Sequence, residues 1–113
     1  MLESGDLLLI CYRRLFSNDE NRFFLGTVDD YQAGIVKITG HSFLRDSVTG
    51  QMAEKSDLAT KILSISSGTL IVYQLPATLA LHNLRFEQKM MKLTLLDDQG
   101  FALDLTEKTY RQN

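Results

Sequence analysis

Short apolar runs, none much longer than ten residues, alternate with tight polar or glycine breaks along the whole chain, and one proline is present. Runs rich in Val, Ile, Leu, Phe, Tyr and Thr suit strands, because β-branched and aromatic side chains pack well on a pleated surface. Residues 6–16 read as a first strand, and Ser17-Asn18-Asp19-Glu20-Asn21 as a turn. A second strand covers residues 22–32, after which Ala33-Gly34 lets the chain turn or bulge. The third runs from Ile35 to Arg45, with Ile35, Val36, Ile38, Phe43 and Leu44 as its apolar content and Gly40 as a bend. Residues 46–57 are polar and aperiodic and read as a hairpin tip.

A fourth strand, residues 58–66, sets Leu63 and Ile65 against Ser64 and Ser66 on the other face. Ser67-Gly68 makes a tight turn into a fifth strand, residues 69–75. Pro76 ends it, since proline cannot donate a ladder hydrogen bond. Over residues 77–91 the pattern changes, and Leu79, Leu81, Leu84, Phe86 and Met90 fit a linker or short helix. Residues 92–96 and 101–106 form a hairpin about Asp97-Asp98-Gln99-Gly100. Residues 107–113 are polar and read as frayed. The expected fold class is all-β. It is one domain over residues 1–113, with a small, strongly bent five-stranded barrel in residues 1–76 and an added C-terminal β-hairpin in 92–106.

At 113 residues, 44% hydrophobic and 23% charged, the chain can bury a real core without covalent staples. The single cysteine, Cys11, has no intramolecular disulfide partner. Among Leu8, Leu9, Ile10 and Tyr12 it reads as a small buried hydrophobe, which suits a reducing compartment. The first residues, Met-Leu-Glu-Ser-Gly-Asp, do not have the form of a secretory leader, and no apolar stretch approaches the roughly 18 residues of a membrane helix. The expectation is a cytoplasmic protein with no membrane partner. A net charge of −2 shows no overall basic excess, so nucleic-acid binding would need a local patch.

No catalytic constellation stands out. His41 and His82 have no metal-like spacing to each other or to Cys11, so no metal and no cofactor is expected. Adjacent strand residues face opposite ways, so Asp29-Asp30 should not converge on a substrate, and Asp97-Asp98 reads as solvated turn charge. Phosphate-cradling Gly-x-x-x-x-Gly-Lys is missing, and Ser64, Ser66 and Ser67 have no base nearby in sequence. The chain is expected not to be an enzyme. A deep pocket holding His41 beside a carboxylate would reopen that question.

Two blocks resemble the Sm and Sm-like family. In Phe23-Phe24-Leu25-Gly26-Thr27-Val28-Asp29-Asp30-Tyr31-Gln32, the residues Gly26, Val28 and Tyr31 follow the order of the family's first motif. In Ile62-Leu63-Ser64-Ile65-Ser66-Ser67-Gly68-Thr69-Leu70-Ile71-Val72-Tyr73, Gly68 stands where the second motif has its glycine. The resemblance spans residues 7–76 and is that of a divergent member, such as a phage or environmental sequence would be. Gln32 replaces the family's aspartate, Val36 its base-contacting asparagine and Ser67 its basic residue, so uridine recognition is not carried over.

What the resemblance implies is a bent Sm-like barrel that assembles. Sm-like subunits form rings by pairing their fourth strand with the fifth strand of the next copy. The uncharged fifth strand agrees, since an exposed apolar edge must be covered, either by another copy or by the C-terminal hairpin of the same chain. Candidate interface residues are Ile62, Ile65, Leu70, Val72 and Tyr73. Candidate nucleic-acid contacts are Gln32, Lys37, His41, Arg45 and Lys61, with Arg13, Arg14 and Arg22 as a second cationic group and Tyr31, His41 and Phe43 as stacking surfaces. The first functional expectation is a homo-oligomeric ring that binds RNA or single-stranded DNA with little sequence preference. The alternative is a structural or protein-interaction oligomer, such as a phage or complex component, without nucleic-acid binding.

Overall fold

The computed structural model describes residues 1–13, 21–90 and 92–106. It is all-β with antiparallel pairing. Six strands form the main sheet: β1 (Leu7–Tyr12), β2 (Arg22–Gln32), β3 (Ile35–Arg45), β4 (Met52–Glu54), β5 (Ala59–Ser64) and β6 (Leu70–Leu75). Their order is β4-β3-β2-β1-β6, with β5 also paired to β3. A 3₁₀ turn, Leu81–Asn83, leads into a second sheet of β7 (Arg85–Lys89), β8 (Lys92–Leu96) and β9 (Ala102–Asp104). No described helix is long and apolar enough to cross a membrane.

Several expectations change. The loop 46–57 contains a sixth strand, β4, paired with Phe43, Leu44 and Arg45. Residues 77–91 are not simply a linker or short helix. After the 3₁₀ turn, Arg85–Lys89 is a strand, so the C-terminal hairpin is two strands of a three-stranded sheet. Charges at both ends of β7 mask its strand character and also suit an edge position. β1 ends at Tyr12, and the expected continuation through residues 14–16 lies outside the described residues. So do residues 17–20 of the predicted turn, Arg14, and the tail 107–113. Asp29 and Asp30 are both exposed, because a bulge between Val28 and Asp30 breaks the strict alternation.

The core explains why β1 is continuously apolar. Leu7, Leu9 and Cys11 face one side, where Phe23, Leu25, Phe43 and Leu75 meet Leu84, Leu93, Leu95 and Leu105 of the C-terminal region. Leu8 and Ile10 face the other side, with Phe24, Val28, Val36 and Ile38, and Leu63, Ile65, Leu70 and Val72 pack around them. A strand buried on both faces reads as an unbroken apolar run. The second sheet is pinned by Phe86, whose ring stacks 4.9 Å from Phe23 and lies tilted 4.8 Å from Phe43. The β8–β9 turn is held by Asp97, whose Oδ1 accepts the backbone N–H groups of Gln99 and Phe101, each at 2.9 Å.

The second cluster forms because the main sheet curls toward that face. Gly26 and Gly40 sit directly opposite each other on β2 and β3. A Cβ on Gly40 would meet the Leu25 carbonyl oxygen and lie 2.6 Å from Gly26 Cα. That backbone approach bends β3 so that residues 35–40 pair with β5 and residues 43–45 with β4. The curl does not close. Among the described residues no ladder joins β5 to β6.

Candidate functional site: two open edges and an outer cleft

The hydrogen-bond phase of the ladders shows what the open edges present. Arg13 N–H donates to Thr69 O (2.9 Å), the residue that continues the β1–β6 register. Directly bonded pairs alternate in an antiparallel ladder, so Ile71, Tyr73 and Leu75 bond to β1. The amides of Leu70, Val72 and Gln74 therefore point away from the sheet. On β5, Ile65 N–H donates to Gly34 O (2.9 Å), which by the same alternation turns the amides of Thr60, Ile62 and Ser64 outward. The Ser64 carbonyl accepts Ser67 N–H at 3.4 Å within the connecting turn. No described strand lies beside either edge, and the C-terminal sheet covers a face of the main sheet, not its β6 edge.

The predicted interface side chains separate. Ile65, Leu70 and Val72 pack into the inner core and Tyr73 against the outer one. Ile62 is 69% exposed, and Leu58 beside it on the same segment is 67% exposed, as the sequence pattern did not anticipate. Ile35 on the neighbouring β3 is exposed too. Thr60 stands between Leu58 and Ile62, and Leu58 also lines the cleft that residues 81–86 border.

The predicted nucleic-acid residues do not form one patch. Lys37 pairs with Ile62 and Gln32 with Ile35 on the exposed outer face near the β2–β3 turn. Arg45 is eight positions further along β3, beyond the bend at Gly40, and its Nε donates to Gly50 O at 3.3 Å. Lys61 points to the inner side, where its Nζ donates to Tyr12 Oη at 2.9 Å. Tyr31 packs against the inner core and Phe43 is buried in the outer one, so neither is a free stacking surface. Arg13 reaches Gly68 O at 3.3 Å.

His41 lies in an open cleft of about 840 Å³ between the outer face of β2 and β3, β4, and residues 81–86. Leu25, Phe43, Met52, Leu84 and Phe86 supply its apolar lining, and His82 and Arg85 also line it. His41 Nδ1 is 3.7 Å from Glu54 Oε2, an ion-pair distance too long for a hydrogen bond. Thr39 Oγ1 donates to Asp29 Oδ2 at 2.5 Å and lies 2.8 Å from Thr60 Oγ1. Arg85 is held by Asp98 at 2.7 Å. A pocket with His41 beside a carboxylate thus exists, and it brings together two histidines whose spacing carried no signal. The pair is partly exposed and no described contact joins a nucleophile to His41. No set of three His, Cys, Asp or Glu among the described residues is placed to hold a metal.

Comparison with known proteins adds no relative: no protein-family model, curated protein or solved structure matches this chain.

Proposed function

We propose that this chain is an assembly module: a curled sheet in Sm-like strand order whose β5 edge pairs with the β6 edge of another copy, closing a homo-oligomeric ring. The observation that carries the reading is the pair of open edges at opposite ends of one curled sheet, with outward amides at Thr60 and Ile62 on one and at Leu70, Val72 and Gln74 on the other. An edge that differs from its partner edge makes a head-to-tail contact, and such contacts give a ring when the rotation from copy to copy closes and an open filament when it does not. The exposed Ile62 and Leu58 give the β5 side apolar area to bury. The reading assigns no catalysis. It favours a structural or protein-interaction oligomer, because Lys37 and Arg45 stand at opposite ends of β3 and Lys61 points to the inner side.

Ile62→Pro and Gln74→Pro test it, one on each edge. Both side chains are exposed and both amides point outward, so proline removes an edge donor and leaves the internal ladders intact. Each lost hydrogen bond weakens every contact by about 1 kcal/mol, with the proline ring adding a steric block. Light scattering on a sizing column should give a discrete multimer for the parent chain and smaller species for both variants. A parent chain that runs as a monomer at micromolar concentration refutes the assembly.

A further inference from the structure

Tyr12, Arg22 and Lys61 meet at the mouth of the inner core, where β5 curls back toward β1. Arg22 lies one step beyond the Cys11–Phe23 pair and so stands across from Tyr12, with its guanidinium carbon 5.0 Å from the Tyr12 ring centroid. Lys61 Nζ is 2.9 Å from Tyr12 Oη but 5.2 Å from that ring's centroid, so it sits off the hydroxyl end rather than over the ring. It lies closer, at 4.7 Å, to the centroid of the buried Phe24.

Neither cation has a carboxylate partner among the described residues. Elsewhere Arg85 pairs with Asp98 and Lys89 with Glu87. In a chain of net charge −2, two cations drawn to one half-buried tyrosine, neither with a carboxylate partner among the described residues, are a distinctive local grouping. Their donors are also in surplus. Tyr12 Oη receives a hydrogen bond from Lys61 and keeps its own proton to give. Lys61 has two further N–H groups, and the Arg22 guanidinium presents a planar fork. Aromatic rings satisfy part of the charge but accept none of these hydrogen bonds with the strength of an anionic oxygen.

We infer that Tyr12, Arg22 and Lys61 form a binding site for a phosphate oxyanion, carried by a small phosphate compound or by a single-stranded nucleic-acid backbone. The oxyanion sits at the hydroxyl end of Tyr12, accepts from Tyr12 Oη and Lys61 Nζ, and is met from β2 by the exposed Arg22 side chain. The sequence put Arg22 and Lys61 in different groups, and only the curl of the sheet brings them together. The site is complete within one chain, so it does not depend on the ring.

The test is nuclear magnetic resonance of the full chain, following the Tyr12 ring and Lys61 ε-methylene signals. Inorganic phosphate is titrated first and a short oligo-uridine second. Phosphate should shift both signals saturably, and Lys61→Met and Arg22→Gln should each weaken binding about tenfold. Lys61→Arg, which keeps the charge, should retain it and guards against a merely structural loss. If oligo-uridine saturates the same signals at much lower concentration, with an affinity that falls steeply with salt, the phosphate belongs to a nucleic-acid backbone. If it binds no more tightly than inorganic phosphate, the ligand is a small phosphate compound. Signals that stay in place with both ligands, or Lys61→Met binding as well as the parent, overturn the site. The solution mass that decides the ring reading is a separate measurement.

Discussion

Replacing Gly40 by alanine should strain the bend that gives the main sheet its shape. The new methyl group has nowhere to go: it overlaps the Leu25 carbonyl and stands 2.6 Å from Gly26 Cα, and both are backbone. Relief requires β2 and β3 to part where they cross. Val28 N–H donates to Asp6 O at 2.8 Å, so even-numbered β2 residues bond to β1 and the odd-numbered Leu25 and Thr27 bond to β3. The bonded pairs Leu25–His41 and Thr27–Thr39 flank Gly40 and are the first to lengthen. Overpacking a tight site costs about 1–3 kcal/mol, and losing one ladder bond adds about 1 kcal/mol, for a total near 3 kcal/mol. In a domain of this size that lowers Tm by about 15 °C. Urea unfolding followed by circular dichroism reads the change as a lower midpoint at constant slope. Gly68→Ala is the contrast, because a methyl group there meets open space and only the φ of +83° resists, at about 1–2 kcal/mol. If Gly40→Ala loses no more stability than Gly68→Ala, the close approach at Gly26–Gly40 does not hold the bend.

Two further outcomes follow from local geometry. Ala33 adopts φ 50° beside Gly34 at φ 83°, the positive pair of a tight hairpin turn, so Ala33→Asn should raise stability by roughly 0.5–1 kcal/mol in the same urea assay. A variant no more stable than the parent refutes the strain. Asp104 titrates below its ordinary value of 3.8, held down first by the backbone N–H of Thr106, then by the Thr106 hydroxyl and Lys92. A lowered carboxylate stabilises the fold above its unfolded pKa, and the contribution disappears as pH falls through the folded pKa. A carbon-13 carboxyl titration should show Asp104 as a low titrator that moves partway back in Thr106→Ala. An unchanged midpoint would remove the hydroxyl from the account.

Local pattern was enough for β1, β2, β3, β5, β6 and the β8–β9 hairpin, because each has the side-chain period or turn residues of a strand. It also picked out Gly26 and the Asp97-to-Gly100 turn. β4 and β7 were missed because neither shows a strand's apolar alternation: β4 has three residues, Met52–Glu54, and β7 carries Phe86 as its one apolar residue. Where the interface candidates point was likewise decided in space: Leu70 and Val72 are directed into the inner core, while their backbone amides face outward along the β6 edge. Apolar composition does not distinguish a strand that is buried by face from one open at its edge.

The chain's own residues therefore decide that it makes antiparallel strands, where most of them turn, and that it can fill a core without disulfides. These are local or compositional properties and need no partner in space. Which groups meet was decided by the curl. It turns Lys61 of β5 back onto Tyr12 of β1, leaves β5 and β6 unjoined, and sets His41 and His82 along one open cleft. Each of those contacts links residues distant in sequence, and no spacing encodes them, because they depend on how far the bend at Gly26 and Gly40 carries one end of the sheet toward the other.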